Sequence, residues 1–286
     1  MTMTTPERAA STSPLADLSV CYSSLRERVG RIDPPRDPAV EVVVLVQGPG
    51  PVPDVPGART VRLGSLGVAR SRNAALDVAG RRYLLFCDDD VEVDLDGVAA
   101  GIERLRRTGA AIALGRGTSP DRTLRKRYSP DGTPLTLLNS AKAATYELLV
   151  DVEQVRAHGV RFDHRFGAGA QYYLGDEYVF IADALRAGLR GVAVAEVFGT
   201  HPATSSGSRW GTEADRAVRA VVLNRVFGRH ALPARVAFAA RRLPRLGPRA
   251  ALRFALDGRR PLGSPDAPVP DPGLPTHDTR PEERHR

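Results

Sequence analysis

The run Tyr83-Leu84-Leu85-Phe86-Cys87 is apolar throughout and ends abruptly in Asp88-Asp89-Asp90. A strand with one face in water alternates apolar and polar residues, so an unbroken run fits a strand covered on both faces. Three adjacent carboxylates repel one another and are comfortable only in water or against a cation. At the carboxyl end of a buried strand they would stand where open α/β sheets bind ligands. Alternation along the chain puts Asp88 and Asp90 on one side, where their oxygens suit Mg²⁺ or Mn²⁺. The same letters also describe a solvated acidic turn, and the rest of the chain has to separate the two.

The surrounding pattern is that of an α/β sheet. Glu41–Val46 contains four valines and a leucine, as a strand buried on both faces would, and Gly48-Pro49-Gly50-Pro51 ends it. A second strand is expected at 59–63. Leu66, Ala69, Asn73 and Leu76 share a helical face, with Gly80 as the expected C-terminal cap. Helices are expected at 94–107 and 177–187, and strands at 110–114, 143–150 and 192–197. Alternating strands and helices argue for a mostly parallel sheet flanked by helices. Residues 1–40 are rich in Ser, Thr, Pro and charge and are expected to form a poorly ordered leader, with at most a short helix near 15–29. The final 26 residues hold seven prolines and little that could form a core, so 261–286 are expected to be disordered.

The 286 residues suit one large domain with appendages. No apolar stretch approaches the ~18 residues of a membrane span, and the N-terminus lacks the pattern of a signal peptide. Cys21 and Cys87 are the only cysteines; one lies in the polar leader and the other closes an apolar strand, so a disulfide framework is not expected. The simplest location is cytoplasmic. Residues 215–260 carry twelve Arg against two Asp, a net charge of +10, while the remainder holds 29 basic and 31 acidic residues. The chain's +8 excess therefore sits in one C-terminal segment, expected to be helical over 213–260. Arg241, Arg242, Arg245, Arg249 and Arg253 alternate with Phe238, Leu243, Leu246, Leu252 and Phe254, and Arg235 precedes them; Pro244 and Pro248 should interrupt any single long helix. Two readings stand: amphipathic pieces on an anionic membrane at its inner face, or an extension packed on the main domain with a solvated Arg face. Interleaved aromatics are few, and no nucleic-acid motif is present.

Four constellations follow one another: Ala69-Arg70-Ser71-Arg72-Asn73-Ala74-Ala75-Leu76; the acidic turn at 88–90; Phe162-Asp163-His164-Arg165-Phe166-Gly167 followed by Gly175-Asp176-Glu177; and His201-Pro202. In this order and spacing, residues 41–212 resemble glycosyltransferase family 2. That resemblance implies a GT-A (Rossmann-like) domain that moves a sugar, usually with inversion, from a nucleotide-sugar donor to a hydroxyl acceptor. The acceptor could be a cell-surface glycan, a lipid-linked carrier or a small molecule. The resemblance implies Asp90 as direct metal ligand, Asp88 on the metal or ribose, Asp89 near the donor, and His201 as a further metal ligand. A structural surface histidine remains the other reading of His201.

By the same resemblance Arg70 and Arg72 would meet a phosphate or the nucleobase, although one of the two is expected to stay on a solvated helix face. Asn73 could touch the donor side or brace the neighbouring loop. The family usually offers Glu-Asp as its acidic pair, with the Asp as base; Asp176-Glu177 reverses that order. Alignment gives Glu177 the base position, while Asp176 would suit a helix N-cap. The first βα connection, Gln47 to Arg59, is shorter than is common in the family, so the nucleotide is not specified. A reading from another class keeps the fold without the chemistry: a GT-A-like binding domain docking on a partner or membrane through its Arg-rich segment.

Overall fold

The computed structural model describes residues 13–202 and 212–256. After a 3-10 turn at Pro14–Asp17, the elements follow as β1 (Leu18–Leu25), β2 (Glu41–Gln47), β3 (Arg59–Leu63), α1 (Val68–Val78), β4 (Tyr83–Asp88), β5 (Glu92–Val93), α2 (Leu95–Thr108), β6 (Ile112–Thr118), β7 (Leu148–Asp151), α3 (Val152–Ala157), α4 (Asp176–Arg186) and β8 (Gly191–Thr200). The C-terminal part adds α5 (Glu213–Phe227), α6 (Ala231–Leu246) and α7 (Pro248–Leu256). The strands form one sheet in the order β3-β2-β1-β4-β7-β6-β8-β5. β1 pairs in parallel with both β2 and β4, and β7 enters antiparallel between β4 and β6. This is the GT-A, Rossmann-like arrangement.

The alternating strand pattern divides the core in two. Val20, Tyr22, Val42, Val44 and Leu85 face α2, while Cys21, Val43, Leu45 and Phe86 face α1 and α4. Gly97 and Gly101 let α2 settle directly on β8. A Cβ on Gly97 would lie 1.8 Å from the Val197 carbonyl oxygen, and one on Gly101 2.6 Å from the Phe198 ring. Asp94 caps α2 by accepting from the Gly97 amide, and Gly109, left-handed at φ 62°, closes it.

The expected leader needs correction, because the sheet begins at Leu18 rather than Glu41. β1 is a central strand with parallel neighbours on both sides. Its serines made it read as a linker, but they bond inward. Ser19 donates to Glu41, Ser23 meets the Ser71 hydroxyl at 2.8 Å, and Ser24 donates to Asp89 at 3.0 Å. Cys21 therefore lies in the core rather than in a polar segment. Cys21 and Cys87 are both buried and free, and they belong to the clusters on opposite faces of the sheet. Residues 143–150 also differ: a 3-10 turn over Thr145–Glu147 precedes a shorter strand. Gly80 lies one residue beyond the Ala79 cap, and its amide donates to Glu41 at 2.7 Å.

α5, α6 and α7 pack on α4 through a third cluster that includes Tyr178, Val179, Ala182, Val222 and Phe254. Pro244 stays inside α6, and the break falls at Gly247, with Pro248 opening α7. Arg235 leaves the expected solvated face: it is buried, and its Nε donates to the Ala255 carbonyl at 3.1 Å. The expected disordered tail at 261–286 lies outside the described residues.

Leu18 is fully buried at the entry to the central strand. Leu18→Ala should therefore cost about 2–5 kcal/mol of unfolding free energy, read by denaturant titration. A loose leader would change it by no more than about 0.5 kcal/mol.

Candidate active site

The acidic turn sorts its three carboxylates by the strand's alternation. Asp89 points into the body of the domain, where Ser24 donates to it at 3.0 Å and Arg28 at 2.5 Å. Its buried, fully partnered position corrects the donor-side assignment made for it. Asp88 and Asp90 face the crevice. Asp88 Oδ1 accepts from Arg72 Nη2 at 3.2 Å. Asp90 Oδ1 lies 3.3 Å from His201 Nε2.

Arg72 is the hub. α1 carries it inward until its side chain is only 4% exposed. Nη1 pairs with Asp176 and reaches Glu177 Oε1 at 3.2 Å, while Nη2 meets Asp88 and the Thr145 hydroxyl. Burial works against the guanidinium's charge, but Asp176, Glu177 and Asp88 outweigh it and hold it protonated. The same burial raises the pKa of Asp176 and of Asp88, with Arg72 opposing both shifts. Arg72 is thus occupied by the protein's own acids, which corrects its reading as a phosphate or nucleobase contact. Arg70 is half-buried on α1 and takes part in none of the ion pairs among the described residues. Asn73 braces a loop: its amide oxygen accepts from the Phe162 amide at 2.8 Å, and its nitrogen donates to the Phe162 carbonyl at 2.9 Å.

Asp176 is not the N-cap. Gly175 caps α4 in the left-handed region, φ 92°, without a side-chain bond. Asp176 instead turns inward to Arg72, beneath Gly167, where a Cβ would come within 2.8 Å of the Asp176 carboxyl carbon. Glu177, the next residue, accepts from the Thr145 hydroxyl at 2.6 Å. Its side chain remains 16% exposed against 5% for Asp176. The Phe162–Gly167 segment is scaffolding: Phe162 stacks on Phe180 at 4.3 Å, and Asp163 pairs with Arg165 and Arg225.

His201 is positioned by its neighbours. Its ring stacks on Tyr146 at 5.6 Å, and Nδ1 lies 2.7 Å from the Pro202 carbonyl. A carbonyl only accepts, so Nδ1 carries a hydrogen and Nε2 is the atom turned toward Asp90. A carbonyl holding the far nitrogen is the usual support of a metal-bound imidazole, and a cation held between Nε2 and the Asp90 carboxylate would fit that arrangement. Asp88, Asp90, Asp176 and Glu177 carry four formal negative charges, and the cations that meet them are Arg72 and, 3.7 Å from Asp90 Oδ2, Arg28, which also serves Asp89, so the acids still outnumber the cations. Among the described residues no three His, Cys, Asp or Glu side chains enclose a ready-made metal cage. The donor set therefore suits a divalent ion shared with a bound ligand's oxygens.

Sequence reasoning missed Thr145, Tyr146 and Arg28. Thr145 and Tyr146 lie in a turn read as strand, and Arg28 lies in the segment read as leader.

Residues 51–164 match the sequence model of the family described as Glycosyl transferase family 2. Over that stretch the chain is similar to family 2 glycosyltransferases. The matched stretch includes α1 and the acidic turn and stops before the acidic pair of α4. Among solved structures, TarS 1-349 of S. aureus in complex with UDP-GlcNAc is 13% identical, with a TM-score of 0.55 over 80% of this chain and 73% of that one. The same protein in complex with UDP gives 14% identity and a TM-score of 0.52, over 80% and 72%. At this identity the likeness is one of fold. No sequence among the curated proteins matches the chain. The family match and the fold together support a glycosyltransferase enzyme.

Proposed function

We propose that this glycosyltransferase transfers a sugar, with inversion and with a divalent metal, from a nucleoside-diphosphate sugar to a hydroxyl acceptor. The observation that carries the reading is the grouping of Asp88, Asp176 and Glu177 around Arg72, beside the facing pair Asp90 and His201. TarS crystallises with UDP-GlcNAc and with UDP, which supports a donor of that class. Asp90 and His201 Nε2, with Asp88 beside them, would hold Mn²⁺ or Mg²⁺, which when bound supplies Lewis-acid stabilisation of the diphosphate leaving group.

Glu177 serves as general base. It is the more exposed member of the acidic pair, and the Thr145 hydroxyl fixes one of its oxygens. As the acceptor oxygen forms its bond to the anomeric carbon, the bond to the diphosphate breaks on the opposite face and the acceptor's proton passes to Glu177. Asp176 holds Arg72 in place and positions Glu177 through it.

Glu177→Gln should lower turnover by a factor on the order of 10² or more, with nucleoside-diphosphate affinity unchanged. Asp90→Asn should instead weaken Mn²⁺-dependent nucleotide binding. Turnover and calorimetric affinity are to be measured side by side on both variants. Normal turnover by Glu177→Gln would remove it as the base, and unchanged metal-dependent binding by Asp90→Asn would remove it as a ligand.

The C-terminal helices add a membrane surface to this reading. Leu232, Val236 and Leu243 lie along one exposed stripe of α6, and Leu252 and Leu256 are exposed on α7. Residues 228–256 contain seven Arg and no acid. An exposed apolar stripe on an arginine-rich segment is complementary to an anionic bilayer. No helix among the described residues is long and apolar enough to cross a membrane, so the association is peripheral. The chain should pellet with phosphatidylglycerol-containing vesicles and not with phosphatidylcholine alone. Equal binding to both, or to neither, would refute it.

A further inference from the structure

The long connection from β6 to the Thr145–Glu147 turn is tied to the site at two points. The Tyr178 hydroxyl, one residue beyond Glu177, donates to the Leu137 carbonyl. Lys126 Nζ donates to Glu147 Oε2 at 2.5 Å, and the Tyr128 hydroxyl donates to Glu147 Oε1 at 2.7 Å. Between these ties lies a cavity whose lining includes Lys126, Arg127, Lys142, Tyr128 and Asn139, with Glu147 in its wall.

The charge around this cavity is unbalanced. Glu147 is buried and already paired with Lys126. No carboxylate ion pair involves Arg127 or Lys142 among the described residues, and both are exposed. Lys142 is pulled below the ordinary lysine range by its partial burial and then by Arg242, Lys126, Arg241 and Arg127 around it. Three cations, Lys126, Arg127 and Lys142, therefore line the cavity with Glu147 as the one acid in its wall. Such crowding is unfavourable in the free protein and is relieved by an anion.

The location connects this cavity to the reaction. Thr145 holds Glu177, Tyr146 stacks on His201, and the next residue, Glu147, forms the cavity wall. The facing pair Asp90 and His201 is the place for the donor diphosphate, and Arg125 nearby is spent on the His201 and Pro202 carbonyls. A second anion site, joined to Glu177 through Thr145 of this turn, is then available to the acceptor.

We propose that the cavity lined by Lys126, Arg127 and Lys142 binds a phosphate group carried by the acceptor. This rests on the glycosyl-transfer reading and adds a substrate class to it: the acceptor hydroxyl belongs to a phosphorylated molecule. Two or more charge-assisted hydrogen bonds to phosphate oxygens provide both affinity and register.

The test is calorimetric titration of tripolyphosphate into the full chain, with the donor site first saturated by Mn²⁺ and a nucleoside diphosphate. Wild type should bind with an affinity that falls as salt rises, and Arg127→Ala/Lys142→Ala should bind about tenfold more weakly or worse. Both side chains are exposed, so the variant should keep its melting temperature and its nucleoside-diphosphate affinity. Pelleting with phosphatidylglycerol vesicles separates the sources of the phosphate. Loss of pelleting in the double variant assigns a lipid-borne phosphate, and retained pelleting a soluble one. Absence of tripolyphosphate binding in wild type, or equal affinity in the double variant, overturns the proposal. Because the titration needs no turnover, it can fail while glycosyl transfer stands; loss of nucleotide binding by wild type would instead strike the transfer reading itself.

Discussion

One buried guanidinium organises the centre of this protein. Arg72 sits among Asp88 from the sheet, Asp176 and Glu177 from α4, and Thr145 from the turn before β7. Three separate pieces of chain meet at the one cation that α1 supplies. Three carboxylates so close together repel, and burial alone would drive them to take up protons. The guanidinium offers several donors in a rigid plane and cannot lose its charge, so it can serve the three acids at once where a lysine could not. The acids outnumber it, and the negative charge left over is what the proposed divalent cation would offset.

The surrounding fold serves this meeting point. β1 and β4 run in parallel, so the carboxyl end of β4 delivers Asp88 to the crevice while Asp89 is drawn back to Ser24 and Arg28. Gly167 allows the chain to pass over Asp176. The C-terminal helices hold α4 from outside: Arg225 of α5 bridges Asp163 and Asp183 at 3.0 and 2.5 Å. The basic segment is therefore part of what fixes the acidic pair, besides presenting an exposed cationic and apolar face.

Much of this was legible in the residues. The unbroken apolar run before Asp88 gave a strand covered on both faces, and the reach from Glu41 to Val46 gave its neighbour's neighbour. Asp90 and His201, far apart in sequence, do meet. What stayed hidden was relational. Leu18–Leu25 carries three serines, and serines read as linker unless one knows that Glu41, Ser71 and Asp89 wait for them. Asp176 looked like a cap because it opens a helix; Gly175 takes that conformation, and only the fold shows an arginine facing the carboxylate. Arg70 and Arg72 are indistinguishable by spacing from the acidic turn, yet helical rotation puts one on a partly open face and the other in the core.

The claim that Arg72 is the counter-ion on which the site depends is tested by denaturant unfolding of Arg72→Met and Arg72→Lys across pH. Arg72→Met should lose about 3–5 kcal/mol near neutral pH, as expected when one partner of a buried charge cluster is removed, and Arg72→Lys should lose less. A carboxyl group whose folded pKa lies above its unfolded value favours the folded state at low pH and loses that contribution as pH rises. Asp176 is already raised by burial with Arg72 present, so the deficit of Arg72→Met should shrink on acidification. A methionine variant within about 0.5 kcal/mol of wild type at neutral pH, or a deficit that does not change with pH, would contradict the account.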